Sequence, residues 1–339
     1  MSVITSAPGK ILLLGGYSVL ERPNVAYVLA VNAFVHAALK TRKDHKVVIS
    51  IPQFKTKIET TTSEIANVKN ESGKFVLSAI ATAFQYFKFK SITYSGFEIT
   101  TKSDAAFALN KGKSGLGSSA AVTVATVKGL FKAFAQSESI DTIHKIAQLA
   151  HARAQNKIGS GFDIAAACFG SIKYVRYSPE LLKLETKLNC EIKKINLPEQ
   201  FKLVFASFPK QSMSTTNAVA KVMEFKKNNK SEYAALIQEL NAENEQVINA
   251  LEKNNLDEFK IHFENGRLIT KKLGELSGVE IESNAHSALI EETKKNGAFV
   301  AKLPGAGGGD SIVALCLTVR EANKVKRFWK KRGLNILRI

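Results

Sequence analysis

The residues best suited to hold a phosphate group stand at 113–121, which read KSGLGSSAA. Glycines let the backbone turn and approach a ligand closely. The first turn of a following helix presents free N–H groups and the positive end of its dipole to an anion. Ser118 and Ser119 add hydroxyl groups, and Lys113 adds a positive charge. We therefore predict a phosphate-binding turn in front of a helix over 118–135, with Ser118 or Ser119 as its N-cap.

Two other phosphate-binding motifs can be tested against the same stretch. A Walker A loop needs a glycine five residues before Gly112, and that position is Phe107. A dinucleotide fingerprint matches loosely as Gly115-x-Gly117-x-x-Ala120, but the polar stretch NKGKS precedes it where a buried strand is required. Neither motif has the neighbouring residues or elements that it requires. Taken alone, this stretch could also be a plain helix start without a ligand.

A second glycine-rich segment, KLPGAGGGD at 302–310, lies between two apolar stretches that read as strands. Successive glycines cost conformational entropy, so their presence indicates that the backbone must closely approach a ligand or another part of the chain. A dinucleotide motif fails here, because the position of its last glycine is Asp310.

Two charged side chains are candidates for chemistry. Lys10 follows Pro8 and Gly9, which interrupt an apolar stretch, and it could either reach a cleft or lie on a solvated edge. Asp163 ends the turn IGSGFD and opens a short apolar helix, where a carboxylate commonly satisfies backbone N–H groups. Taken alone, Lys10 is better explained as a charge on a solvated strand edge, and Asp163 as a carboxylate at a helix N-terminus, than as catalytic residues.

The composition describes a water-soluble globular chain. Of the 339 residues, 45% are hydrophobic and 23% are charged, and no apolar stretch approaches the roughly 18 residues of a membrane helix. The start lacks a basic segment ahead of its short apolar run, so we predict no signal peptide. The cysteines, far apart and without metal-ligand spacing, suggest a reducing cytoplasm; they are Cys168, Cys190 and Cys316.

The formal charge of +18 is compatible with several partners. A basic surface attracts nucleic acid, acidic membranes or small polyanions, but the lysines are scattered, and no known nucleic-acid-binding motif is present. A lysine-coated, solvated surface remains the simplest interpretation, followed by a field that gathers anionic metabolites.

Strand-like and helix-like stretches alternate in both halves without a regular βαβ rhythm. We predict an α+β fold of two lobes with a cleft between them, and a boundary within 177–198, where Pro179 and Pro198 interrupt the pattern. We place the domains at 1–178 and 179–339.

Taken together in this order, three stretches resemble the motifs of the GHMP kinases: APGKILLLGGYSVLE, GLGSSAA and LPGAGGGD. They span Ala7 to Asp310, nearly the whole chain. The resemblance implies an N-terminal lobe like domain 2 of ribosomal protein S5 and a ferredoxin-like C-terminal lobe. It further implies ATP and Mg²⁺ as cofactors, with the nucleotide bound over GLGSSAA.

Variants within the motifs look like the phosphomevalonate kinase branch of the family. They are the sequence Gly15-Gly-Tyr-Ser-Val19, the sequence Gly159-Ser-Gly-Phe-Asp163, and Asp310 in place of a fourth glycine. The resemblance thus implies ATP-dependent phosphorylation of (R)-5-phosphomevalonate to (R)-5-diphosphomevalonate in isoprenoid biosynthesis. The alternatives are mevalonate kinase, or another small-molecule kinase or decarboxylase of the family. We expect small-molecule partners only, neither nucleic acid nor membrane, and a monomer or homodimer.

Roles carried over from the family motifs are expectations about individual residues. Catalysis falls to Lys10 and Asp163, and Ser119 is expected to bind Mg²⁺. ATP binding falls to the turn and the helix start, namely Lys113, Gly115, Leu116, Gly117, Ser118, Ser119 and Ala120. Substrate binding falls to Lys10, Tyr17, Ser18, Arg153, Lys157, Ser160, Gly305, Ala306 and Gly307. The sequence departs from the family pattern at 151–155, HARAQ, where the glutamate that mevalonate kinases use as a metal ligand is missing.

Overall fold

A computed structural model describes residues 1–107, 115–135, 138–209 and 215–339. Within these ranges the strands are β1 (Ser2–Leu14), β2 (Val25–Thr41), β3 (Lys46–Ile51), β4 (Thr56–Thr61), β5 (Phe97–Ser103), β6 (Ile172–Val175), β7 (Glu191–Lys194), β8 (Lys202–Ser207), β9 (Val300–Lys302), β10 (Ser311–Cys316) and β11 (Asn335–Leu337). The α-helices are α1 (Lys74–Phe89), α2 (Ser118–Phe134), α3 (Ile140–Gln155), α4 (Phe162–Phe169), α5 (Thr215–Asn228), α6 (Lys230–Glu252), α7 (Leu256–Ser277), α8 (Asn284–Lys295) and α9 (Val319–Lys331). The α+β composition is confirmed.

The first lobe, residues 1–194, is built on a seven-stranded sheet that contains β1 to β7. Its strands pair antiparallel except for β3 and β5, which run parallel. The helices α1 to α4 cover one face, and α2 lies against β1 and β2 with Ala121, Val124 and Ala125 completely buried. The apolar side of this helix therefore anchors the turn that precedes it.

The strand β1 continues through Pro8 and Gly9, the two residues that interrupt the apolar stretch in the sequence. It pairs with β2 on both sides of that point, and the register shifts between the two residues. An irregularity of this kind is a place where a strand accommodates proline, which cannot donate a ladder hydrogen bond. The shift keeps Lys10 within the sheet.

The second lobe, residues 202–339, has a four-stranded sheet in the order β11-β8-β10-β9. Numbered along the chain, this is the order 4-1-3-2, with helices after its first and third strands, which is the ferredoxin-like β-α-β-β-α-β arrangement. Trp329 of α9 is fully buried against this sheet, and its ring N–H donates to Thr293 Oγ1 of α8.

The strand β7 pairs with β6, so the first sheet extends to Lys194, beyond the predicted domain boundary at 178. The chain passes from one sheet to the other over 195–201. Over the described residues, none of the helices is both long and apolar enough to cross a membrane.

Candidate active site

Lys10 lies in the middle of β1 and reaches toward the turn in front of α2. Its Nζ donates to the carbonyl oxygen of Gly115 at 2.9 Å, and its backbone N–H donates to the carbonyl of Leu116 at 2.9 Å. Its Nζ also lies 5.5 Å from the centre of the Phe162 ring. Burial lowers the pKa of Lys10, while attraction to Asp163 opposes that shift. A cation is thus fixed between the predicted phosphate turn and the predicted carboxylate.

Gly117 is the N-cap of α2, so the predicted N-cap at Ser118 or Ser119 is wrong. Its φ of +75° lies in the left-handed region, and a Cβ there would stand 2.9 Å from Cε of Lys10. Only glycine suits both conditions without strain. Because the cap lacks a side chain, the first N–H groups of α2 receive no side-chain cap. Such groups are suited to an anion.

The helix that begins at the turn carries the remaining predicted nucleotide contacts. Ser118 is exposed, Ser119 is partly buried, and Ala120 is buried, as is Leu116 in the turn. Lys113 lies outside the described residues.

Asp163 stands in the first turn of α4, after the left-handed Gly161. A Cβ on Gly161 would stand 2.7 Å from Tyr177 Cε1 and 2.8 Å from Gln148 Nε2, so the residue must be glycine. One oxygen of Asp163 accepts from the N–H of Ile164 at 2.9 Å, and its side chain is 23% exposed. The carboxylate therefore remains accessible to a ligand.

His151 is a residue whose contacts at this site the sequence does not predict. Its Nε2 lies 3.2 Å from Ser119 Oγ and 3.9 Å from Asp163 Oδ2. The only signal in the sequence is its place on the buried face of α3, which does not distinguish it from a core histidine such as His144.

The glycine segment of the second lobe contacts the first lobe directly. The N–H of Gly305 donates to the carbonyl of Leu12 at 3.0 Å, two residues after Lys10. A Cβ on Gly305 would meet no atom within 4 Å, so this backbone faces open space. A Cβ on Gly307 would instead lie 2.4 Å from the carbonyl of Ile281, so that glycine permits close packing within the second lobe.

Tyr17 and Ser18 lie at the junction of the lobes and are buried. The hydroxyl of Tyr17 donates to the carbonyl of Ala306 at 2.9 Å. Ser18 Oγ donates to the carbonyl of Gly15 at 3.3 Å and accepts from Asn244 Nδ2 at 3.5 Å. Both hydroxyls contact protein atoms: that of Tyr17 supports the position of the glycine segment, and that of Ser18 joins the turn after β1 to α6.

The other predicted substrate contacts are divided between two surroundings. Arg153 Nη1 donates to Thr82 Oγ1 and Gln85 Oε1 of α1, at 3.1 and 2.5 Å. Lys157 is exposed just beyond α3. Ser160 is partly buried, and its carbonyl accepts from Tyr174 Oη at 2.8 Å. The geometry thus brings Lys10, Asp163, the turn at 115–117 and Gly305 together, while Arg153 is directed to α1.

A metal ion would find oxygen donors here but no complete protein cage. Among the described residues, no group of three or more His, Cys, Asp or Glu side chains could hold a metal ion. Ser119 Oγ and Asp163 Oδ2 both lie near the same His151 nitrogen, at 3.2 and 3.9 Å. Mg²⁺ usually takes one or two protein oxygens and completes its shell with phosphate oxygens and water. The pair fits an ion of that kind.

Comparison with known proteins agrees with this geometry. Residues 74–171 match the model of the GHMP kinase N-terminal domain, and 247–335 match the model of the GHMP kinase C-terminal domain. A phosphomevalonate kinase of Saccharolobus solfataricus is 34% identical over 333 residues, which cover 98% of this chain and 95% of that protein.

Two solved structures share the fold. The Lin0012 protein of Listeria innocua has a TM-score of 0.89 and 25% identity, covering 100% of this chain and 97% of its own. A phosphomevalonate kinase of Streptococcus pneumoniae in complex with phosphomevalonate and AMPPNP has a TM-score of 0.80 and 18% identity, covering 100% and 98%. The chain belongs to the GHMP kinase family.

Proposed function

We propose that this chain transfers the terminal phosphoryl group of ATP to (R)-5-phosphomevalonate, which gives ADP and (R)-5-diphosphomevalonate in the mevalonate pathway. The observation that carries the proposal is the position of Lys10, which is bound to Gly115 and attracted to Asp163. The similarity to the Saccharolobus solfataricus enzyme supports the choice of acceptor.

Lys10 and the start of α2 supply positive charge where the phosphates would meet. Phosphoryl transfer depends mainly on positioning and on stabilising charge spread over the transferred group. We place the nucleotide's phosphates at the uncapped N–H groups of α2, and the Nζ of Lys10 has further protons to donate besides the one held by Gly115. Both sources of charge are fixed before the ligands arrive.

The acceptor needs little help in losing a proton. A phosphate monoester has a second pKa of about 6, so its oxygen is mostly unprotonated at neutral pH. That oxygen forms a bond to the γ-phosphorus, while the bond from this phosphorus to the β–γ bridging oxygen breaks and ADP leaves. We therefore assign Asp163 to orienting Lys10 and the acceptor, with general-base catalysis in a minor role.

We propose that Mg²⁺ is held by Ser119 and Asp163 together with the phosphates of the nucleotide. When bound, such an ion neutralises charge on the transferring and leaving oxygens. The protein's own contribution is to hold these two oxygens near each other through His151.

On the acceptor side, we propose that the backbone of 305–307 forms the floor and that Lys157, Ser160 and Arg153 bind the substrate's anionic groups. Gly305 faces open space close to β1, and Lys157 is exposed. Tyr17 acts through the glycine segment that it supports, and Ser18 acts through the turn at Gly15.

We also propose that the reaction takes place in the cytoplasm, by a monomer or a homodimer. The free thiols suit a reducing compartment; they are Cys168, Cys190 and Cys316.

The test is an assay of ADP release with purified protein and one acceptor at a time. We expect turnover with 5-phosphomevalonate and none with mevalonate or 5-diphosphomevalonate, and no release of carbon dioxide. Turnover with mevalonate instead would make the chain a mevalonate kinase. Carbon dioxide release would make it a decarboxylase.

A further inference from the structure

The ring of His151 lies where four helices of the first lobe meet. His151 belongs to α3, Ser119 to α2, Asp163 to α4, and Phe75 to α1. The Nε2 of the ring lies 3.2 Å from Ser119 Oγ and 3.9 Å from Asp163 Oδ2. One side chain thus contacts the hydroxyl and faces the carboxylate that the proposed mechanism places next to the phosphates.

The ring itself is firmly held. Its side chain is only 7% exposed, and it stacks on Phe75 with ring centres 5.2 Å apart and planes 27° apart. The amide nitrogen of Gln155, one turn further along α3, lies 3.3 Å from the same Nε2. A ring packed in this way offers its nitrogen at a fixed place.

The hydroxyl of Ser119 would otherwise have a choice of orientations. A serine side chain has three staggered rotamers, and its O–H rotates freely. A hydroxyl can donate as well as accept, so it pairs with either tautomer of the histidine. A contact that selects one orientation in advance reduces the ordering cost of binding a ligand.

We infer that His151 is a positioning residue, which holds the Ser119 hydroxyl and keeps it in register with Asp163 for the nucleotide's phosphates. The inference rests on the proposed kinase function of this site. It concerns how the nucleotide is received and does not depend on which acceptor is used.

The test is a double-mutant cycle read by calorimetric binding of Mg²⁺·AMPPNP. His151→Phe keeps the ring shape without the nitrogen, and we expect the Kd to rise about three- to tenfold, the effect of losing one hydrogen bond. Ser119→Ala should raise the Kd by at least as much, because it removes the proposed Mg²⁺ ligand together with the contact to His151. The double variant should bind no more weakly than Ser119→Ala alone, because that change already removes the interaction with His151.

A rescue variant and a control variant distinguish the loss of the His151–Ser119 contact from a general loss of structure. His151→Gln carries an amide that can bond to Ser119, and its Kd should return to within about threefold of wild type. His144→Phe is the matched control, because His144 is also buried on α3 and also pairs with a glutamine four residues on, Gln148, at 2.9 Å. Its ring contacts Phe169, and we expect the Kd of this variant to stay within twofold of wild type.

Kinetics add a second readout. His151→Phe should lower kcat with ATP while the KM for 5-phosphomevalonate stays within twofold. If His151→Phe fails to fold, as judged by its thermal melt, His151→Asn takes its place, because the shorter amide stops short of Ser119. Additive effects in the cycle, or a His151→Phe variant that binds like wild type, would overturn the inference.

The outcomes distinguish the two proposals. If the wild-type protein does not phosphorylate 5-phosphomevalonate but the double-mutant cycle is non-additive, the positioning role of His151 stands and the proposed acceptor is overturned. If the wild-type protein phosphorylates 5-phosphomevalonate but the cycle is additive, the proposed acceptor stands and the role of His151 is overturned. A wild type that fails to bind Mg²⁺·AMPPNP would overturn both.

Discussion

The side chain of Lys10 and the backbone of Gly115 are joined by a hydrogen bond of 2.9 Å, although 105 positions separate them in the chain. The strand β1 and the turn before α2 are therefore fixed relative to each other at the point where phosphates are proposed to bind. A change at Lys10 affects both the charge of the site and the position of the turn.

Replacing Lys10 should cost more activity than replacing Asp163. We expect Lys10→Met to lower kcat by a factor on the order of 10² to 10³, the size of effect seen when one preorganised charge-stabilising donor is removed. Asp163→Asn should cost less, because a phosphate acceptor is already largely deprotonated and the amide of asparagine still offers one oxygen to Mg²⁺. Steady-state kinetics of both variants test this ranking. A loss through Asp163→Asn that exceeds the loss through Lys10→Met tenfold would contradict it.

The alkaline limb of the activity profile should lie below the ordinary pKa of a lysine. Burial lowers the pKa of Lys10 from 10.5, and the charge needed at the phosphates is lost as the pH rises through the lowered value. Plots of kcat/KM against pH should therefore fall at a pH below 10.5. Lys10→Arg, whose guanidinium stays charged, should lack that fall whatever its overall rate. An unchanged alkaline limb in this variant would assign it to another group.

Gly117→Ala should weaken nucleotide binding. The new Cβ would meet Lys10 Cε at 2.9 Å, in addition to the strain of a φ of +75°. We expect the KM for ATP to rise at least tenfold, with a loss of stability of about 1–2 kcal/mol. Gly278→Ala is the matched control, since its φ is +64° and its Cβ would have nothing within 4 Å. It should lose similar stability and keep the KM, and an equal rise in KM for both variants would show that strain alone is responsible.

Lys302→Met should stabilise the protein at neutral pH. Lys302 is 8% exposed, and burial lowers its pKa from 10.5 to about 8. Below pH 8 the folded state carries the full cost of the buried charge, about 3 kcal/mol from the size of the shift. Between pH 8 and 10.5 the folded protein loses this proton before the unfolded chain does, so the stability of wild type rises with pH across that window.

The stabilisation by Lys302→Met should consequently be largest at pH 7 and shrink toward pH 10.5. Urea unfolding of wild type and variant at both pH values measures it, with the exposed Lys324 replaced by Met as control. A gain in stability that does not depend on pH would mean that charge burial is not its source.

Lys157→Ala should raise the KM for the acceptor more than Arg153→Ala does. Both residues are exposed, but the guanidinium of Arg153 is bonded to Thr82 and Gln85 of α1. We expect a rise of about fivefold or more for Lys157→Ala with the KM for ATP unchanged, and a smaller rise together with a lower melting temperature for Arg153→Ala. An unchanged KM for the acceptor in both variants would remove these residues from the substrate site.

Much of the site could be predicted because its residues belong to short motifs that can be recognised in the sequence. The left-handed conformations of Gly117 and Gly161 and the close packing of Gly307 are conditions that only glycine meets without strain, so the sequence displays them directly. The N-cap of α2 was misplaced because serine commonly caps helices, whereas here a left-handed glycine leaves the N–H groups without a side-chain cap.

Other features depend on contacts between distant parts of the chain. The sequence does not predict β2, because an alanine- and valine-rich stretch suits a helix as well as a strand, and its pairing with β1, β5 and β6 decides the outcome. The partners of His151 come from helices that begin at Ser118 and Phe162, and no local pattern states that they meet. The hydrogen bonds from Arg153 to α1 are likewise not predicted by any pattern in the sequence.

The bond from Gly305 to Leu12 uses main-chain atoms only. Except for proline at position 305, no exchange of side chains at either position removes its donor or acceptor. Evolutionary change around the cleft can therefore alter what is accepted there while both halves of the molecule stay docked. A fold whose two lobes are held by main-chain bonds can change its substrate through side-chain substitutions without losing the contact between the lobes.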